Sequence, residues 1–153
     1  MKLFFKLIPF FFIFSNICHA DLIRPSSNLK PFDVLMIQLN SLKNNNSTYK
    51  DAGIEQTWEF AHPINKISTG PLESFKKMIY SNSYKILISH ENIKTIILKE
   101  SINKYIYKVF VLSKDKKKYY YIWQLEKVKR EGDLKDCWMT TTVSEPIYLG
   151  KTI

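Results

Sequence analysis

The amino-acid sequence predicts an α+β domain: three helices in the N-terminal half, packed on a curved antiparallel sheet of about four to five strands. Two observations point to it. Apolar residues recur at three- and four-residue steps as far as Ile79, and at two-residue steps from Tyr84 onward. The segments after Tyr84 are joined by short polar connections, which is the spacing of antiparallel hairpins. Helices first and a meander after them give the segregated arrangement in which helices cover one face of the sheet.

The first helix opens at Pro31, whose missing N–H costs nothing at that position, and Asp33 lies at the positive end of the helix. Phe32, Leu35, Leu39 and Leu42 give it one apolar face, and Asn44 to Ser47 end it in a polar loop. Asn45 and Asn46 are formal glycosylation acceptors, a matter only for a host that modifies them. A second helix runs from an Asp51 N-cap to His62, where Pro63 forbids continuation. Its Ile54, Trp58 and Ala61 form a stripe. The third begins at Gly70 and Pro71, with Leu72, Phe75, Met78 and Ile79 on one side. Strands follow over Tyr84 to Ser89, Ile93 to Lys99, Tyr105 to Leu112, Tyr119 to Val128 and Cys137 to Val143, all rich in Ile, Val, Tyr and Thr. Alternation in the third and fourth of these turns the odd-numbered residues, Tyr105 to Val111 and Tyr119 to Leu125, toward the helices.

The N-terminus has the form of a cleavable export signal. Lys2 and Lys6 supply positive charge, Leu7 to Phe14 an apolar run too short to span a bilayer, and Cys18 and Ala20 the small residues before a cut ahead of Asp21. Residues 1–20 are therefore read as signal, 21–30 as a flexible leader, 31–146 as one domain and 147–153 as a tail. The net charge of +9 falls to +7 without the signal, which carries two lysines and no acid. Only Arg24 and Arg130 are arginines, whereas sites that read phosphates or bases recruit the arginine fork, so no nucleic-acid partner is expected. Once Cys18 is removed Cys137 is the sole thiol; no internal disulfide can form, and a buried inert thiol is expected.

The stretch Asp51-Ala52-Gly53-Ile54-Glu55 leads to Phe60-Ala61-His62-Pro63, then to Thr69-Gly70-Pro71-Leu72 with Phe75, and later to Cys137-Trp138 with Val143. In that order, over roughly residues 37–144, the chain resembles the uncharacterised family called domain of unknown function 4864. That family is similar in fold to nuclear transport factor 2-like cones and has members in phototrophic bacteria and plastids. The resemblance implies a cone. Together with the signal it implies a periplasm, a thylakoid lumen or secretion. It implies no activity.

No catalytic motif is present. No three His, Cys, Asp or Glu residues have metal-ligand spacing, and the four glycines form no phosphate loop, so neither metal nor cofactor is expected. His62 is the best single candidate for chemistry, against a simpler role at a helix C-terminus. His90 with Glu91 reads as an exposed turn pair, and Asp51 as a cap. Trp58, Tyr105, Tyr107, Tyr121, Trp123 and Trp138 either line an apolar pocket, with His62 at its mouth, or form the core. Lys114, Lys116, Lys117 and Lys118 form a hairpin tip, either a solvated turn or a weak contact for an anionic surface. The function expected is an exported, non-enzymatic binding or assembly domain whose partner is an apolar small molecule, another protein or a second copy in a homodimer. The alternative is a small isomerase or dehydratase working in the cone.

Overall fold

The computed structural model describes residues 21–151; the expected export signal, its expected cut after Ala20 and Cys18 lie outside them. The first helix, α1 (Pro31–Lys43), starts at Pro31 as the sequence predicts, and the Asp33 carboxylate accepts a hydrogen bond from the Lys30 N–H at 3.1 Å. It buries Val34, Leu35, Gln38, Leu39 and Leu42. Phe32, expected on that face, is 48% exposed.

The loop into α2 (Ala52–Glu59) turns on Asp51, whose backbone φ is 67°. Asp51 stands at the N-cap position but its carboxylate does not cap; it accepts from the Tyr80 hydroxyl. Asn45 does the capping instead: its Oδ1 accepts from the Ile54 N–H at 2.9 Å and its carbonyl from the Gly53 N–H at 3.0 Å. The Asn45 amide donates to Asn46 and Tyr80, and the residue is only 2% exposed, so this acceptor is built into the fold rather than displayed. Helix α2 crosses α1 at Gly53, where a Cβ would lie 1.9 Å from the Ser41 carbonyl oxygen.

Among the described residues four α-helices precede the sheet, not three. Helix α2 stops at Glu59, and Pro63, expected only as a stop, also starts α3 (Pro63–Thr69), since a first-turn proline loses no hydrogen bond. The helix expected from Gly70 is α4 (Leu72–Ile79). Tyr84 to Ser89, expected as a strand, contains a single 3-10 turn over Lys85–Leu87. Its consecutive apolar residues Ile86, Leu87 and Ile88 cannot alternate between two environments. Leu87 enters the core, and the Ser89 N–H bonds the last turn of α1 at the Leu42 carbonyl.

The sheet comprises β1 (Asn92–Glu100), β2 (Lys104–Leu112), β3 (Lys117–Lys127), β4 (Trp138–Val143) and β5 (Ile147–Lys151), all paired antiparallel in the order β1-β2-β3-β4, with β5 also on β3. Residues 147–151, expected as tail, are thus a strand. The strand β4 pairs Trp123 to Lys127 and β5 pairs Lys117 to Tyr120, so the two lie end to end along one side of β3. Ser144 carries the pairing toward the break: its hydroxyl accepts from the Ile122 N–H at 2.8 Å and its own N–H donates to the Ile122 carbonyl at 2.9 Å, ahead of Pro146, which has no N–H to offer. Register shifts between Ile97 and Lys99, between Gln124 and Leu125, and between Lys118 and Tyr119 add local twist to an open sheet.

The helices cover one face. Tyr107, Val109, Val111, Tyr121, Trp123 and Leu125, on the odd-numbered face of β2 and β3, are at most 1% exposed and form one core with Leu35, Leu39 and Leu42 of α1 and Ile54 of α2, while Tyr105 and Tyr119 of the same face are half-buried against it. Cys137 sits in a satellite cluster with Val128 and Met139, and burial pushes its thiol pKa up, away from the reactive thiolate. The leader is tied down: the Gln56 side chain bonds both the N–H and the carbonyl of Ile23, at 2.7 and 2.8 Å, and Arg24 meets Glu59. No helix of the described residues is long and apolar enough to cross a membrane.

Candidate functional site

After α2 the chain turns at Phe60, and Ala61 and His62 then run beside β4 before α3 begins. There Ala61 forms a parallel bridge with Thr140: the His62 N–H donates to the Thr140 carbonyl and the Thr140 N–H to the Phe60 carbonyl, both at 2.8 Å. Helix α3 packs against β4 and α4. Helix α3 itself buries no residue, and Ile64 and Ile67 stand 63% and 84% exposed. Between these helices and β4 lies a cavity of about 340 Å³, within the range of small-molecule sites.

Its walls are mainly apolar. Leu42, Phe75, Met78, Ile79, Leu87 and Trp123 enclose it, and Ile64, Ser68 and Thr69 of α3 lie along its rim. Gln38 and Thr57 of α1 and α2 lie opposite Thr140 of β4, all three at most 3% exposed, and a directed chain of hydrogen bonds joins them. The Trp123 indole N–H can only donate, and it reaches Thr140 Oγ1 at 2.9 Å. Thr140 then passes its own O–H to Gln38 Oε1 at 2.6 Å. The Gln38 amide nitrogen donates to the Thr57 carbonyl at 3.1 Å, and the Thr57 hydroxyl to the Gly53 carbonyl at 2.8 Å. Both ends fix the amide orientation, because the Thr57 carbonyl needs a donor and the Thr140 hydroxyl an acceptor.

Among the described residues, the lining holds no Asp, Glu, His, Lys or Arg. Its one ionisable group is Tyr84, whose hydroxyl donates to the Val143 carbonyl at 3.1 Å and whose pKa burial pushes up, followed by the influence of Glu145. The phenol is neutral throughout the physiological range.

Of the seven residues expected to line a pocket, Trp123 does so. Trp58 packs on Phe75, 4.9 Å between ring centroids, with the Lys66 ammonium 5.1 Å from its ring. Tyr121 lies in the core beneath Tyr84 and donates to the Ser83 carbonyl at 2.7 Å, its pKa raised by burial. Tyr105, Tyr107 and Trp138 cluster with one another, at 5.9 and 5.2 Å, and burial pushes the Tyr107 pKa up to about 12.

His62 closes no helix; it opens one. Its Nδ1 accepts the Ile64 N–H at 3.2 Å at the N-cap of α3, a role that needs the nitrogen unprotonated, and burial lowers its pKa in keeping with that. His90, expected in an exposed turn, is 3% exposed, with Nδ1 2.8 Å from the Leu87 carbonyl. The lysine run is partly neutralised: Lys116 pairs with Glu91 and Lys117 with Asp115, both at 2.6 Å, and the bond from Lys117, helped by Ser113, lowers the Asp115 pKa to about 2. The residues missed by sequence reasoning are Gln38, Thr57 and Thr140. The signal that could have found Gln38 is its position, three residues after Leu35 and four before Leu42, on the apolar stripe of α1.

Comparison with models of protein families, with curated proteins and with solved structures finds no match for this chain.

Proposed function

We propose that this protein is a non-enzymatic binding domain, exported by its N-terminal signal, that holds a small and mainly apolar ligand in the cavity between α1, α2, α3, α4 and β4. One observation carries the reading: a cavity of about 340 Å³ with apolar walls and no carboxylate, imidazole or ammonium among its described lining residues. An isomerase or dehydratase needs a group that takes a proton near neutral pH. A phenol with a raised pKa is a poor base, so the binding reading is preferred over the catalytic one. Helices covering one face of a twisted, bulged sheet also suit the cone that the resemblance to domain of unknown function 4864 implies, and that fold is used for binding as well as catalysis.

The test uses N-phenyl-1-naphthylamine, a neutral apolar fluorophore, titrated into the purified chain lacking residues 1–20. Saturable enhancement with one site per chain is expected. Ala61→Phe, which projects bulk into the cavity and leaves the backbone bridge to Thr140 in place, should abolish it while circular dichroism stays unchanged. Enhancement that persists in a folded Ala61→Phe variant refutes this site.

A further inference from the structure

The geometry points to a more specific ligand class for this cavity: a neutral molecule whose leading end is a hydrogen-bond acceptor, a ketone, ester or amide carbonyl, received by the amide nitrogen of Gln38. This rests on the binding reading above.

Gln38 is 1% exposed and lines the cavity. Its Oε1 is occupied by the Thr140 hydroxyl, and one of its two amide hydrogens by the Thr57 carbonyl. Among the described residues the amide nitrogen has one acceptor, the Thr57 carbonyl, for its two hydrogens. A buried donor left half satisfied in a cavity is a site for an acceptor. The chain that begins at the Trp123 indole polarises the amide further, since each donated bond strengthens the next. Asn65, also on the lining, hangs from the same residue: its amide nitrogen donates to the Thr140 carbonyl at 3.2 Å. Thr140 therefore anchors primary amides from α1 and from α3.

Charge decides the rest of the class. A carboxylate entering here would lose its hydration and meet no cation, and an ammonium would meet no anion, so both are disfavoured. A carbonyl meets a donor, and its hydrocarbon meets Leu42, Phe75, Met78 and Ile79.

Three probes of nearly equal shape separate the possibilities: 2-acetylnaphthalene, 2-ethylnaphthalene and 2-naphthoate, each titrated into the chain lacking residues 1–20. The ketone should bind about three- to tenfold tighter than the hydrocarbon, the net worth of one hydrogen bond, and the anion most weakly. In wild-type protein the Gln38 side-chain amide ¹⁵N–¹H signals should shift with the ketone and stay put with the hydrocarbon, a readout that needs no variant. Gln38→Met, if folded, should bring ketone and hydrocarbon to equal affinity. Equal binding by the wild type with unmoved Gln38 signals overturns the acceptor assignment and leaves the apolar binding site standing. Tightest binding by the naphthoate overturns it as well. Failure of all three probes and of N-phenyl-1-naphthylamine overturns the cavity as a binding site, and this assignment with it.

Discussion

Thr140→Val is the substitution that most directly tests the polar side of the cavity, because valine keeps the shape and removes only the hydroxyl. That hydroxyl accepts from the Trp123 indole at 2.9 Å and donates to Gln38 Oε1 at 2.6 Å. All three residues are at most 2% exposed. The variant leaves two buried groups, the indole N–H and the amide oxygen, without partners. Each orphaned group costs about 1–3 kcal/mol, so the expected loss is about 2–6 kcal/mol. Against the roughly 5–15 kcal/mol that holds a domain of this size folded, that is a large fraction. Urea unfolding followed by tryptophan fluorescence and by far-ultraviolet circular dichroism measures it. Thr141→Val is the control: its hydroxyl meets the Gln124 side chain and carbonyl in a partly exposed position, and its loss should cost under about 1 kcal/mol. If Thr140→Val is no worse than Thr141→Val, the buried chain is not a coupled network and the fixed orientation of the Gln38 amide loses its basis.

Gly53→Ala should destabilise by more than about 3 kcal/mol, the upper range for overpacking, because the new Cβ falls 1.9 Å from Ser41 O and 2.7 Å from the Asn45 Cα, both backbone atoms that move only if α1 and α2 separate; a melting temperature within a few degrees of wild type would refute it. His62 and His90 are both held below their ordinary value of 6.5, chiefly by burial, with the Leu87 carbonyl bond opposing and Lys43 reinforcing the shift at His90. Below pH 6.5 the unfolded chain takes up protons that the folded chain refuses, so stability should fall as pH drops from about 6.5 toward the folded pKa values, at up to about 1.4 kcal/mol per pH unit per proton, and should owe these groups no pH dependence above. His62→Asn keeps an N-cap acceptor without the titration and should flatten the fall measured by urea midpoints between pH 7.5 and 5; a profile parallel to wild type would exclude His62 from it. Amide hydrogens of α3, which buries no residue, should exchange before those of α1 and slow when N-phenyl-1-naphthylamine is bound; unchanged α3 exchange at saturation would place the probe elsewhere.

The sheet was legible because its signal is repetitive. Tyr107, Val109 and Val111 and their register partners Trp123, Tyr121 and Tyr119 alternate without interruption, and a one-residue slip would turn every one of them to water. The helical half was less legible where tertiary contacts decide. Pro63 is compatible with ending one helix and with starting another; the bridge from Ala61 to Thr140, 79 residues apart, selects the second by pulling the chain straight between them. Ile86, Leu87 and Ile88 have strand composition, yet docking beside α1 curls them into a 3-10 turn. Pro146 reads as the end of structure, but Ser144 supplies both a hydroxyl and an N–H to Ile122 and lets the pairing on β3 resume at Ile147.

The cavity was illegible for a different reason. Aromatic residues draw attention in a sequence, and here Tyr107 and Tyr121 are spent on filling a core that, among the described residues, has no disulfide to help it. Recognition is left to what interrupts the apolar pattern, a glutamine on the buried stripe of α1 and threonines at the start and the end of a long sequence interval. Gln38 and Thr140 are 102 residues apart in sequence and hydrogen-bonded at 2.6 Å, oxygen to oxygen. A polar residue at a core position costs stability unless the fold satisfies it, and this fold satisfies all but one hydrogen of Gln38. Gln38 lines the cavity, whose walls carry no competing charge among the described residues. Neutral walls and one free donor together define a narrower class of ligand than either feature alone.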